Sequence, residues 1–113
     1  MGCDASARIF FGVVVYDPNN YTDDFQLEVD YYEVGEQLPE GLEMIMHGYT
    51  DGEAIWTLCV KGVGKWVFDY GYEAFDPSSL VVPEGAVEKL KAVCEKFNLK
   101  WSDPKWIIAA SYG

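Results

Sequence analysis

The stretch DDFQLEVDYYEVGE, Asp23–Glu36, combines an acidic run with a regular hydrophobic period. Apolar and polar residues alternate along it, with one set formed by Phe25, Leu27, Val29 and Tyr31 and the other by Gln26, Glu28, Asp30 and Tyr32. This alternation predicts a β-strand with one buried face, ending near Val34. On its solvent face Asp24, Glu28 and Asp30 would stand in a row, in which same-face neighbours such as Glu28 and Asp30 lie roughly 6.5–7 Å apart, twice the rise per residue.

The negative charge of the chain is concentrated around this stretch. Ile9–Val60 contains eleven acidic residues and neither Lys nor Arg, whereas Lys61–Gly113 has seven Lys and seven acids. The formal charge of −11 therefore arises from one contiguous span. A row of carboxylates costs self-repulsion. Two interpretations remain: the field attracts a partner, or the strand is a solvated face that keeps the protein soluble.

Composition restricts the classes of protein and partner. With 113 residues, half of them hydrophobic and 16% aromatic, the chain can build one domain, 1–113, with a core of its own. Its charge disfavours direct binding to nucleic acid or to an anionic membrane and favours basic proteins or cations. The three cysteines, Cys3, Cys59 and Cys94, have no C-x-x-C spacing, which indicates a reducing, cytoplasmic location.

The remaining chain predicts further strands and one helix. Ala7–Tyr16 is apolar on both faces, as expected of a strand in the centre of a sheet, and Gly12 within it indicates a bulge or a close backbone approach. An Asp-Gly pair between two β-type runs predicts a hairpin. The expected elements after the acidic strand are Leu42–Tyr49, Glu53–Lys61, an aromatic strand Trp66–Tyr72, an amphipathic helix between Pro83 and Asn98, and a largely buried strand Trp106–Tyr112.

This order of elements predicts an α+β fold: a mainly antiparallel sheet of about five to six strands, with one amphipathic helix packed on one face. The apolar stripe of that helix comprises Ala86, Val87, Leu90, Val93, Cys94 and Phe97. The final strand–helix–strand unit is expected to form a parallel, right-handed crossover.

Motifs for catalysis or metal binding are weak. His47 is the only histidine, and we expect a hydrogen-bonded residue of the sheet rather than a catalytic base or a partner of Cys59. Lys61–Lys65 has the glycines of a phosphate loop but not its spacing, and predicts a hairpin turn. Asp17–Asp24 offers oxygen ligands without EF-hand spacing, so a bound divalent cation stays an open alternative. We predict no catalytic residue, no metal site and no cofactor.

The two ends of the chain carry a family resemblance. Met1-Gly2-Cys3-Asp4-Ala5-Ser6-Ala7, leading into a glycine-containing strand, and the closing strand Trp106–Gly113 resemble small uncharacterised accessory proteins of tailed bacteriophages. The resemblance covers the outer quarter of the chain and implies a setting, the bacterial cytosol during infection, but no catalytic residues. In that setting small acidic proteins often inhibit host defence enzymes, and some present carboxylates where the phosphates of a nucleic acid would lie.

We therefore expect a non-enzymatic protein that covers a basic surface on a host protein, such as a nucleic-acid-binding enzyme. The expected partner-binding residues are Asp23, Asp24, Glu28, Asp30, Glu33 and Glu36, with Tyr32 as an apolar anchor. Tyr21, Tyr32 and Tyr72 are the tyrosines expected at the surface. Two alternatives stay open: a small-ligand binder or enzyme that uses His47 and the aromatic strand, and a structural homodimer that pairs edge strands.

Overall fold

A computed structural model describes residues 5–17, 30–50, 53–68 and 71–112 of the chain. Within these residues lie five strands, namely β1 (Ala5–Tyr16), β2 (Leu42–Thr50), β3 (Glu53–Val60), β4 (Lys65–Phe68) and β5 (Lys105–Tyr112). The helices described are α1 (Tyr31–Glu36), α2 (Ala86–Phe97) and one 3₁₀ turn, Pro77–Ser79. No helix in the described ranges combines the length and the apolar character needed to cross a bilayer.

β1 is the central strand of the sheet, as its two apolar faces predict. β5 pairs with one edge of β1 from Ala5 to Gly12. The other edge is shared, with β4 opposite Ser6–Ile9 and β3 opposite Gly12–Tyr16. β2 completes the sheet by pairing with β3, as the predicted hairpin requires, with a register shift between His47 and Thr50. All of these pairings are antiparallel, and the predicted α+β fold with a mainly antiparallel sheet is confirmed.

The prediction of a hairpin turn at Lys61–Lys65 is wrong. β3 and β4 do not pair with each other; they follow one another along the same edge of β1. Gly12 pairs with Cys59 and Ile9 with Lys65, so the segment between them loops out of a single interrupted strand. A Cβ at Gly64 would collide with the carbonyl oxygen of Ile9, and glycine is therefore required where this loop touches β1.

The two faces of the sheet are covered differently. One face packs against both helices and holds the main core, which includes Phe11, Val13, Val15, Leu58, Leu90 and Val93. On the other face the sheet curls, β2 comes near β5, and a smaller cluster forms from Phe10, Ile45 and Cys59 with Ile107 and Ala109. α2 lies on the sheet through the predicted stripe and ends at Asn98 in left-handed conformation, although Val87 is exposed.

The predicted acidic strand is wrong over its second half, because Tyr31–Glu36 is helical. Asp30 begins this helix as its N-cap residue, and its carboxylate accepts hydrogen bonds from the backbone N–H groups of Tyr32 and Glu33. Tyr31 and Val34, three residues apart, face the core, so the helical period overrides the alternation of the sequence. Residues 23–29, where the strand was predicted to begin, lie outside the described residues.

The C-terminal elements also differ from expectation. β5 is not largely buried, since Ile108 is 80% exposed on the part of the sheet that α2 leaves uncovered. The aromatic strand is shorter than predicted: β4 comprises Lys65–Phe68, and Gly71 and Tyr72 do not belong to a strand. Both β4 and β5 are antiparallel to β1 and hence parallel to each other, as the predicted crossover requires, but β1 lies between them.

Gly12→Ala should destabilise the protein. A Cβ at this position would meet the Leu58 carbonyl oxygen and would lie 2.7 Å from the Cα atom of Cys59. Overpacking of this kind costs about 1–3 kcal/mol. We expect a loss of that size in the free energy of unfolding, measured by chemical denaturation.

The matched control is Gly35→Ala in α1, where a Cβ would lie 3.4 Å from the Cβ of Met44. Because alanine favours the helix by about 1 kcal/mol over glycine, this variant should keep or gain stability. Equal stability of the two variants would contradict the close backbone approach at Gly12.

Candidate functional site

α1 is held against the sheet by a stack of aromatic rings. The Tyr31 ring is buried and stacks on Trp56 of β3, with centroids 5.6 Å apart and an interplanar angle of 16°. On the other side, its centroid lies 5.8 Å from that of Tyr16 on β1. Val34, one turn later, is also buried in the main core. Two inward side chains thus position a helix of only six residues.

The outward side of this attachment is an aromatic and methionine-lined surface. Tyr32 is 66% exposed, and its ring meets Trp56 edge-on with centroids 4.9 Å apart. Its hydroxyl donates to the Met46 sulfur at 3.7 Å, and Met46 is itself 44% exposed. Together with Met44 these residues line a groove of about 390 Å³ between α1 and β2, which we call the aromatic–methionine groove. Lys61 borders it as well.

The helix that carries Tyr32 also carries exposed carboxylates. Asp30, Glu33 and Glu36 are exposed, and Glu40 follows in the next turn. We define the acidic helix surface as Asp30, Tyr32, Glu33 and Glu36. Four of the seven predicted partner-binding residues therefore come together on one short helix. The other three, Asp23, Asp24 and Glu28, lie outside the described residues, so their place relative to this surface stays a prediction.

Two residues that line the aromatic–methionine groove, Met46 and Trp56, were not predicted as site residues. They pair directly across the β2–β3 hairpin. The hairpin register could therefore have identified them as neighbours. What the sequence pattern did not reveal was the helix that lies over them, because residues 31–36 were assigned to a strand.

The sequence predicts three tyrosines at the surface, namely Tyr21, Tyr32 and Tyr72. Tyr32 and Tyr72 are exposed, as expected. Tyr21 lies outside the described residues. On the aromatic strand, Trp66 and Phe68 are also exposed, and their ring centroids lie 4.9 Å apart.

His47 is a buried residue of the sheet, in agreement with the sequence prediction. Its side chain is 8% exposed, and its Nε2 lies 2.6 Å from the Thr57 hydroxyl oxygen. Burial lowers the pKa of His47; the Arg8 guanidinium lowers it further, while Asp17 opposes both. The neutral imidazole is therefore favoured in the folded protein.

Cys59 does not form a dyad with His47. Cys59 lies opposite Glu43, whereas His47 lies opposite Ile55, four residues before Cys59 in β3. Burial, reinforced by Glu43, raises the pKa of the Cys59 thiol to about 12. A thiol protonated over the physiological pH range and enclosed by the core is a poor nucleophile.

Metal binding finds no support in the described part of the chain, where no group of three or more His, Cys, Asp or Glu side chains is placed to hold an ion. Most of the Asp17–Asp24 loop, the open alternative for a divalent cation, lies outside that part. Comparison of the chain with protein-family models, with curated proteins and with solved structures returned no match.

Asp30 should stabilise α1 as a cap independently of its charge. Asp30→Ala removes the acceptor for two backbone N–H groups and should lower the free energy of unfolding by about 1 kcal/mol. Asp30→Asn keeps a good capping side chain and should stay within about 0.5 kcal/mol of the wild type. Chemical denaturation measures both, and equal losses would indicate that charge, rather than the hydrogen bonds, is what Asp30 contributes.

The lowered pKa of His47 makes stability depend on pH. Because the unfolded chain, with a pKa near 6.5, takes up the proton more readily than the folded protein, the contribution of His47 to stability falls as pH decreases through 6.5. His47→Gln lacks this titration. We expect the stability advantage of the wild type over His47→Gln to shrink between about pH 7.5 and about pH 5. An advantage that stays constant over this range would contradict the burial of a neutral imidazole.

Proposed function

We propose that this protein is a non-enzymatic binding module that covers a basic surface of another protein with its acidic helix surface. The observation that carries the proposal is the position of Tyr32. It is exposed at the rim of the aromatic–methionine groove, on a helix whose other exposed side chains include Glu33 and Glu36. An apolar anchor and a set of carboxylates thus share one surface.

The aromatic and methionine side chains and the carboxylates would contribute to binding in different ways. Tyr and Trp supply large, rigid contact areas at the centre of protein interfaces, and Met adapts its shape to an incoming side chain. Carboxylates around such a centre steer a basic partner towards it and reject acidic competitors. The Tyr31–Trp56 stack holds the surface in place before binding, which reduces the entropy lost on association.

We infer the class of the partner from the ends of the chain and from the concentration of its charge. The resemblance of the chain ends to phage accessory proteins suggests a host protein in the bacterial cytoplasm, and the concentration of charge suggests one that normally binds nucleic acid. On this view the carboxylates of α1 occupy places that phosphates would take, and the protein acts as an inhibitor. Glu33 and Glu36 are three positions apart, which makes them neighbours on the helix surface.

Charge reversal on α1 should weaken partner binding strongly without unfolding the protein. The test is a tagged pull-down from bacterial lysate at low and at high salt, with mass spectrometry of the retained proteins. The wild type should retain a basic, nucleic-acid-handling protein at low salt and lose it at high salt. Glu33→Lys/Glu36→Lys should weaken that interaction at least about tenfold, equivalent to about 1.4 kcal/mol.

The matched control is Glu84→Lys/Glu95→Lys, which changes the formal charge by the same amount at exposed positions before and within α2. This variant should bind like the wild type. If both double variants lose the partner equally, net charge and not the acidic helix surface drives association. If neither loses it, the surface is not the binding site.

A further inference from the structure

A small cleft opens on the face of the sheet opposite the helices, where the Lys61–Gly64 loop leaves the edge of β1. It has a volume of about 150 Å³, and its walls include Arg8 and Phe10 of β1, Glu43 of β2, Val60, Gly64 and Trp66. We call it the Arg8 cleft. Space for only a few water molecules suits a small ligand rather than a polymer.

Arg8, the single arginine of the chain, is fixed by aromatic rings and not by a carboxylate. Its guanidinium carbon lies 4.1 Å from the centroid of Trp66 and 5.8 Å from that of Phe10. A guanidinium that is stacked on a ring keeps its N–H donors in its own plane, directed away from the ring. Within the described residues Arg8 takes part in no ion pair, although the chain carries nineteen acids. Its fork of donors is thus available to an incoming oxyanion.

Glu43 supplies the opposite charge in the same cleft. Its register partner across the hairpin is Cys59, and Cys59 in turn lies opposite Gly12 of β1, so the Glu43 side chain points to the same face as Arg8. Both charges act on the buried thiol of Cys59, Glu43 raising its pKa and Arg8 lowering it. No ion pair joins Arg8 and Glu43 themselves, and both line the cleft.

We propose that the Arg8 cleft binds a free α-amino acid as its zwitterion. The carboxylate accepts hydrogen bonds from the Arg8 guanidinium, and the ammonium group donates to the Glu43 carboxylate. The ring of Trp66, which is 48% exposed, contacts the aliphatic part of the ligand. This site makes the protein a small-molecule binder in addition to the function proposed for α1.

A dipolar ligand fits better than a simple anion. Glu43 and the net charge of −11 both repel phosphate and other multiply charged anions, whereas a zwitterion adds no net charge. Lys65 also borders the cleft, but its ammonium lies over the ring of Phe75, 5.6 Å from the ring centroid. We therefore assign the ligand carboxylate to Arg8 and not to Lys65. The close packing of Gly64 on the Ile9 backbone holds the loop wall in place.

The test follows the indole N–H signal of Trp66 by ¹H–¹⁵N NMR, assigned with Trp66→Phe, during titration with L-alanine, acetate, methylamine and inorganic phosphate. L-alanine should shift this signal saturably, and each of the other three should bind at least about tenfold more weakly, a difference of about 1.4 kcal/mol. Arg8→Lys keeps the charge but loses the planar fork, and Glu43→Gln loses the ammonium acceptor. Each should weaken L-alanine binding at least about tenfold.

The matched control is Lys96→Gln, which removes a cation that also lies over an aromatic ring, 5.2 Å from the centroid of Phe97, but outside the cleft. It should bind L-alanine like the wild type. The proposal is overturned if L-alanine causes no saturable shift, if acetate or phosphate binds as tightly as L-alanine, or if Arg8→Lys and Glu43→Gln bind it as the wild type does. Because the titration involves no protein partner, its result is independent of the pull-down.

Discussion

The structure depends on one constraint: β1 must form hydrogen bonds along both edges and bury apolar side chains on both faces. One edge is filled by β5 alone, and the other needs β3 and β4 in succession. The Lys61–Gly64 loop exists because those two segments differ in register along β1. Gly12 and Gly64 follow from the same crowding, since each touches backbone where a side chain would collide.

The acidic helix surface is linked to this sheet through the Tyr31–Trp56 stack. Trp56 belongs to β3, and its position is therefore set by the pairing of β3 with β1 and β2. Tyr31 brings α1 onto that ring, and Asp30 caps the helix where it begins. Exposed carboxylates repel one another, but the buried side chains Tyr31 and Val34 hold them on one small surface. The proposed binding function thus depends on the core as much as on the charges.

Local sequence signals predicted most of the fold and named the four residues of the acidic helix surface, whose role stays a prediction. The two apolar faces of Ala7–Tyr16, the Asp-Gly hairpin and the stripe from Ala86 to Phe97 each satisfy a short-range rule, and the structure confirms all three. The helix at Tyr31–Glu36 was missed because its six residues are too few for a helical period to outweigh an alternation that began at Phe25. The pairing of β4 with β1, and with it the Arg8 cleft, depends on contacts distant in sequence, which no local pattern specifies.

If the acidic helix surface is the binding site, the surface around Tyr32 contacts the partner directly. A photo-cross-linking amino acid placed at position 32, and for comparison at the exposed position of Val81, tests this in bacterial lysate. Position 32 should cross-link one basic protein at low salt, and added nucleic acid that binds this protein should reduce the yield. Position 81 should not cross-link it. Equal cross-linking from both positions, or none from position 32, would contradict the proposal.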